Sequence, residues 1–100
     1  MTYINAGTLG VVAGGRDQLV SILTARSDLL RDLGCLVYEV GVNEEQPNTV
    51  FVVEMWTDAA AHQASLKHPD VLATIASAKS LLDGEFGGFR FDVVGSPLRD

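Results

Sequence analysis

Apolar and polar positions change rhythm several times along this chain, and each rhythm predicts an element. Residues 3–13 are apolar and β-branched but broken by Gly7 and Gly10, the signature of a first strand that bends or bulges before Gly14-Gly15 ends it. Leu19, Ile22, Leu23, Leu29, Leu30 and Leu33 then recur at helical spacing among charged residues, predicting one amphipathic helix of about five turns stopped at Gly34. Two β-rich runs follow, residues 35–42 and 49–56, separated by the polar segment Asn43-Glu44-Glu45-Gln46-Pro47-Asn48, and they read as an antiparallel hairpin. Thr57 or Asp58 suits the N-cap of a short Ala-rich helix reaching about Lys67. Pro69, with no N–H to donate, fits the first turn of a second helix whose stripe is Val71, Ile75, Ala78 and Leu82, closed by Asp83-Gly84. Phe89, Phe91 and Val93 alternate with Arg90, Asp92 and Val94 in a last strand, and a Gly95-Ser96-Pro97 tail follows.

The order β-α-β-β-α(α)-β is the ferredoxin-like split βαβ arrangement, an α+β fold with helices on one face of a four-stranded antiparallel sheet. Helices on one side leave the other side to water, so one face of each strand should be polar. It is not: Phe51, Val53 and Met55 oppose Val50, Val52 and Trp56, and Cys35 and Val37 oppose Leu36, Tyr38, Val40 and Val42. Both faces need cover, which predicts a symmetric homodimer packed sheet to sheet, a ligand cavity on one face, or both.

Composition narrows the function classes. One hundred residues make one domain, spanning 1–100, and 47% hydrophobic with 20% charged residues is enough to fold. Thirteen acidic against seven basic residues give a net charge of −6, which repels phosphate backbones and anionic headgroups, so neither nucleic acid nor membrane is an expected partner. No apolar run approaches the ~20 residues of a membrane span and Met1-Thr2-Tyr3 does not resemble a signal peptide, so a cytoplasmic location is expected. Cys35 is the single cysteine, which rules out an intrachain disulfide and a thiolate zinc cluster and reads as a small buried hydrophobe. The glycines follow neither a dinucleotide-binding nor a P-loop order, no serine lies in a nucleophile elbow, and His62 and His68 are six apart with a proline next to the second, not the i,i+4 pair of a helical metal site.

A few polar residues in apolar settings remain as candidates. Glu54 interrupts Val-Val-Glu-Met-Trp: facing a cavity it is a base, and otherwise it pairs with Arg90. His62, one turn beyond Trp56, stands beside an aromatic site as a proton-transfer group, whereas His68 reads as a cap for the helix begun by Pro69. Asn5, polar in an apolar strand, is a neutral donor to a ligand oxygen. Tyr38 and Trp56 suit a flat aromatic ligand, with Val52 and Phe91 as apolar walls.

The segments Gly34-Cys35-Leu36-x-Tyr38-Glu39-Val40, Asn48-x-x-Phe51-x-x-Glu54-x-Trp56-x-Asp58 and Ala61-His62-x-x-Ser65-Leu66-x-x-Pro69 resemble the antibiotic biosynthesis monooxygenase family. The resemblance runs from about Tyr3 to Val94 and implies a dimeric α+β barrel that oxidises aromatic polyketides or quinols with O2 and no metal, flavin or haem. It therefore implies no cofactor, a small aromatic substrate, catalytic roles for Trp56, His62, Asn5 and Glu54, and substrate contacts from Tyr38, Val52 and Phe91. The haem-degrading branch places a Trp near position 65 and a His near 75, where this chain has Ser65 and Ile75, and the quinol-oxidising histidines near 65 and 70 are replaced by Ser65 and Asp70. A non-catalytic ligand-binding or structural dimer of the same fold is the alternative.

Overall fold

The computed structural model describes residues 1–99. Its elements are β1 (Tyr3–Val11), α1 (Arg16–Thr24), α2 (Leu29–Asp32), β2 (Cys35–Gly41), β3 (Thr49–Trp56), α3 (Ala59–Ser65), α4 (Pro69–Ala78) and β4 (Leu82–Asp92), with a 3-10 turn at Lys79–Leu81 joining the last two. The four strands form one antiparallel sheet in the order β2-β3-β1-β4, the α+β ferredoxin-like arrangement. The hairpin strand β3 has the expected limits, and the expected caps are in place: Asp58 accepts a hydrogen bond from the Ala61 amide at 2.7 Å, and His68 Nδ1 accepts from the Asp70 amide at 3.1 Å.

Two elements differ from the periodicity reading. The five-turn helix is two shorter ones, because Ala25 leaves the helical region at φ −59°, ψ 130°. The stripe set by Leu19, Ile22 and Leu23 would next require apolar residues near positions 26 and 27, where Arg26 and Ser27 stand exposed, so nothing holds that turn to the sheet. The last strand begins at Leu82 rather than near Phe89. Asp83-Gly84 makes a turn, but inside the strand: Gly84 has φ +91°, Asp83 Oδ1 accepts from the Glu85 amide at 2.8 Å, and the pairing register with β1 shifts between Leu9–Phe86 and Val11–Leu82. The turn chemistry of these two residues is local; its use as a bulge depends on the partner strand.

The apolar core lies at one end of the sheet, where Val11, Leu19, Val50, Val52, Ala78 and Leu81 are buried together. Each large aliphatic member contributes about 1.5–3 kcal/mol by leaving water. At the other end Trp56, His62, Ser65 and Cys35 are buried. A cleft between sheet and helices separates these two packed ends. The opposite sheet face is an apolar surface without cover, with Val37, Val53, Phe89 and Phe91 exposed and Phe89 stacked on Phe91 at 6.1 Å. No helix among the described residues is long and apolar enough to cross a membrane.

Candidate active site

Alternation along β3 sends Val50, Val52, Glu54 and Trp56 toward the helices. Glu54 pairs with Tyr38 of β2 on one side and Asn5 of β1 on the other, and Asn5 pairs with Arg90 of β4. One rung across all four strands is therefore Tyr38, Glu54, Asn5 and Arg90, and all four line the cleft. The neighbouring rung toward the core is Val40, Val52, Gly7 and Gly88. Its two glycines lie against each other: a Cβ on Gly88, at φ +138°, would strike the Ala6 carbonyl and approach Gly7 Cα to 2.5 Å. The absence of side chains there leaves a bare patch of backbone beside Asn5 and Arg90. The cleft measures about 1140 Å³, ample for a polycyclic aromatic molecule.

Glu54 is the hub of the polar rung. Its Oε2 accepts from Asn5 Nδ2 at 2.9 Å and its Oε1 from Trp56 Nε1 at 3.1 Å. The expected pairing with Arg90 does not form: β1 stands between the two strands, and both Glu54 oxygens are engaged by Asn5 and Trp56. Glu54 acts on its other neighbours through its charge. Burial, with the Glu54 carboxylate adding to it, pushes the Tyr38 phenol up to about 12, so Tyr38 stays a hydrogen-bond donor at neutral pH. The same two causes push up the buried Cys35 thiol, whose Sγ lies 3.3 Å from the Val37 carbonyl oxygen. Cys35 is therefore a poor nucleophile.

His62 closes the Trp56 end of the cleft. It is 5% exposed, set edge-on to the Trp56 ring at 5.4 Å and tilted against Tyr3 at 5.6 Å. Its Nδ1 is buried with no hydrogen-bond partner, the single such side-chain atom among the described residues. Leaving a buried polar atom unpaired costs about 1–3 kcal/mol. Ser65, also buried, donates its hydroxyl to the His62 carbonyl at 2.6 Å and fixes the backbone that carries the imidazole.

Of the sequence candidates, Asn5, Tyr38, Val52, Glu54, Trp56 and His62 all line the cleft. Phe91 does not. It pairs with Ile4, one residue out of step with the Asn5–Arg90 pair, and so faces the uncovered side of the sheet, 44% exposed. Trp56 is only 1% exposed and its N–H is held by Glu54, so it forms a wall of the cleft instead of an open stacking platform. Arg90 enters the site in a place its sequence setting does not reveal. Asn5 and Glu54 each interrupt an apolar strand and so give a signal, but Arg90 sits in an ordinary apolar–polar alternation, and the alignment of the three is a matter of cross-strand register. No group of three or more His, Cys, Asp or Glu side chains among the described residues is placed to hold a metal ion.

Comparison with known proteins adds a family. The family model described as antibiotic biosynthesis monooxygenase matches residues 2–77. A candidate antibiotic biosynthesis monooxygenase from Chloroflexus aurantiacus J-10-fl is similar in structure at TM-score 0.81 and 28% identity, over 96% of both chains. A second, from Deinococcus radiodurans, shares the fold at TM-score 0.74 and 23% identity over 94% of each chain. A third, from Nitrosomonas europaea, reaches TM-score 0.81 at only 8% identity, covering 93% of this chain and 90% of that one. No curated protein matches the chain.

Proposed function

This chain belongs to the antibiotic biosynthesis monooxygenase family, and from that premise we propose that it is a cofactor-independent monooxygenase acting with O2 on a small aromatic phenol, quinol or anthrone. The observation that carries the reading is an imidazole with an unpaired buried nitrogen in the wall of a cleft that also carries the polar rung. An acid–base step makes use of an imidazole so placed.

In this mechanism the ring lies in the cleft with its oxygen near Tyr38 and Asn5. His62 takes a proton from the substrate, an O–H of a quinol or a C–H of an anthrone. The resulting anion gives one electron to O2, and the radical pair combines to form a carbon–oxygen bond. His62 returns its proton to the distal peroxide oxygen. In the anthrone case loss of the second C–H proton with cleavage of the O–O bond releases water and leaves a carbonyl, so that one oxygen atom is retained and the other leaves as water. Tyr38, held protonated, and the Asn5 amide stabilise the developing oxyanion by donation. Glu54, with both oxygens engaged by Asn5 and Trp56, orients those groups and is not the base. The apolar part of the cleft wall, with Leu19, Ile22 and Val52, admits O2.

The working molecule in this proposal is a cytoplasmic homodimer. Val37, Val53, Phe89 and Phe91 on the uncovered sheet face form its contact, which leaves the cleft on the helix side of each protomer. The test is oxygen uptake by chelator-treated protein against a panel of quinols and anthrones, with Trp56→Phe alongside. Uptake above autoxidation that falls in the variant is the expected result. Uptake at the autoxidation rate across the panel, with measurable binding of the same compounds, would move the protein to the non-catalytic ligand-binding alternative.

A further inference from the structure

The mechanism above makes no use of Arg90, yet its position is specific. Seven lysines and arginines serve the whole chain, and two of them, Arg26 and Arg90, line the cleft. Arg26 lies 3.7 Å from Asp28 on the exposed turn between α1 and α2, and this is the one ion pair among the described residues. Arg90 has no carboxylate partner among them. Its neighbour in the rung is the neutral Asn5, and the next residue along, Glu54, lies two strand spacings away with both oxygens occupied. Beside Arg90 lies the Gly7–Gly88 patch, where a planar ring can rest on backbone.

We propose that Arg90 binds a carboxylate on the aromatic substrate and so selects aromatic acids over their neutral counterparts. The inference rests on the cleft being the substrate site. A ring on the glycine patch with its hydroxyl toward Tyr38 and Asn5 extends along the rung, and its far substituent reaches β4. A guanidinium there offers a fork of N–H donors matched to a carboxylate. Arg90 is exposed and no carboxylate among the described residues lies within ion-pair distance of it, Glu54 and Asp70 being the acids in the cleft wall, so the fork is open to an anionic ligand.

The test compares a hydroxynaphthoic acid, with hydroxyl and carboxyl at opposite ends of the bicycle, with its methyl ester, by equilibrium dialysis at fixed ionic strength. The wild-type protein binds the acid about tenfold or more tightly than the ester, the worth of one charge-assisted contact. In Arg90→Gln the ratio of the two affinities falls toward unity, and in Arg90→Lys, which keeps the charge and loses the fork, it is intermediate. An acid preference that survives in Arg90→Gln, or is absent from the wild type, overturns the role of Arg90 and leaves the oxygenase reading standing. Failure of the wild type to bind either compound overturns the cleft as an aromatic site and this inference with it. Circular dichroism confirms the fold of each variant, and Arg90→Lys alone decides the matter if Arg90→Gln does not fold.

Discussion

Replacing Glu54 by Gln changes one atom and should disturb the whole rung. The carboxylate accepts two hydrogen bonds, from Asn5 Nδ2 at 2.9 Å and from Trp56 Nε1 at 3.1 Å. An amide has one acceptor oxygen and turns an NH2 toward the second donor, so one charge-assisted bond is lost and two donors are opposed. Hydrogen bonds to charged groups contribute about 1.5–3 kcal/mol each, and recovery of part of the carboxylate's desolvation offsets some of that, so the expected loss is about 2 kcal/mol. For a domain of this size that lowers Tm by roughly 8–16 °C, measured at one protein concentration to hold any association constant. A second readout separates charge from packing. Burial is the larger cause of the raised Tyr38 pKa and Glu54 the next, so in Glu54→Gln the phenol titrates lower than about 12 yet still above the ordinary tyrosine value. Absorbance of tyrosinate followed against pH reports this directly, with Tyr38→Phe identifying the signal. A variant as stable as the wild type with an unmoved Tyr38 titration would refute the account of Glu54 as the hub.

His62→Phe keeps the packing against Tyr3 and Trp56 and removes the unpaired nitrogen; stability by denaturant titration should hold or rise by up to about 1–3 kcal/mol, while oxygen uptake falls about a hundredfold or more. A stable variant with full activity would remove His62 from the proton transfer. Because the folded-state pKa of Tyr38 is raised, the unfolded chain loses this proton first as pH rises, so stability is intact below about 10 and declines between about 10 and about 12. Thermal unfolding across that window should show the decline in the wild type and a shallower one in Tyr38→Phe. Gly88→Ala drives a methyl group into the Ala6 carbonyl at a positive φ and should cost about 3 kcal/mol or more, seen as a loss of soluble protein or a lowered Tm. Phe91→Glu charges the uncovered face without touching the cleft; if that face is the proposed contact, sedimentation should show a dimer for the wild type and monomers for the variant.

Elements fixed by local chemistry are legible in the amino-acid sequence. The hairpin, the Asp58 and His68 caps, Pro69 at a helix start and the two-faced character of β3 follow from residue type and spacing. Where the sequence misleads, the cause is largely register between segments far apart in the chain. Asp83-Gly84 looks like a helix stop until the pairing with β1 shows residues 83–85 of β4 set opposite the single residue Gly10. A shift between Cys35 and Val37 in the pairing of β2 with β3 leaves Leu36 out of the ladder, 55% exposed, rather than in line with Tyr38. Phe91 and Arg90 are adjacent residues on opposite faces, and only the pairing of Asn5 with Arg90 decides which of them lines the cleft. The Glu54–Arg90 pair reads well by charge, but the intervening strand brings Asn5 to Glu54 first, and Asn5 and Trp56 take both carboxylate oxygens.

The period of two that sets Glu54 toward the helices also sets Val53 and Met55 toward the uncovered face. Chemistry and outer surface are therefore written in alternate letters of the same short strand. Point substitutions can revise one text without disturbing the other, so the reaction and any partnership of the sheet are free to diverge independently. A single-codon insertion or deletion within β3 cannot do so, since it exchanges every letter at once and puts the carboxylate on the outside and valine in the cleft. Lineages carrying this sheet should accordingly vary by substitution within β3 and confine changes of length to its bordering loops, as at Asn43–Asn48, where all six residues are exposed.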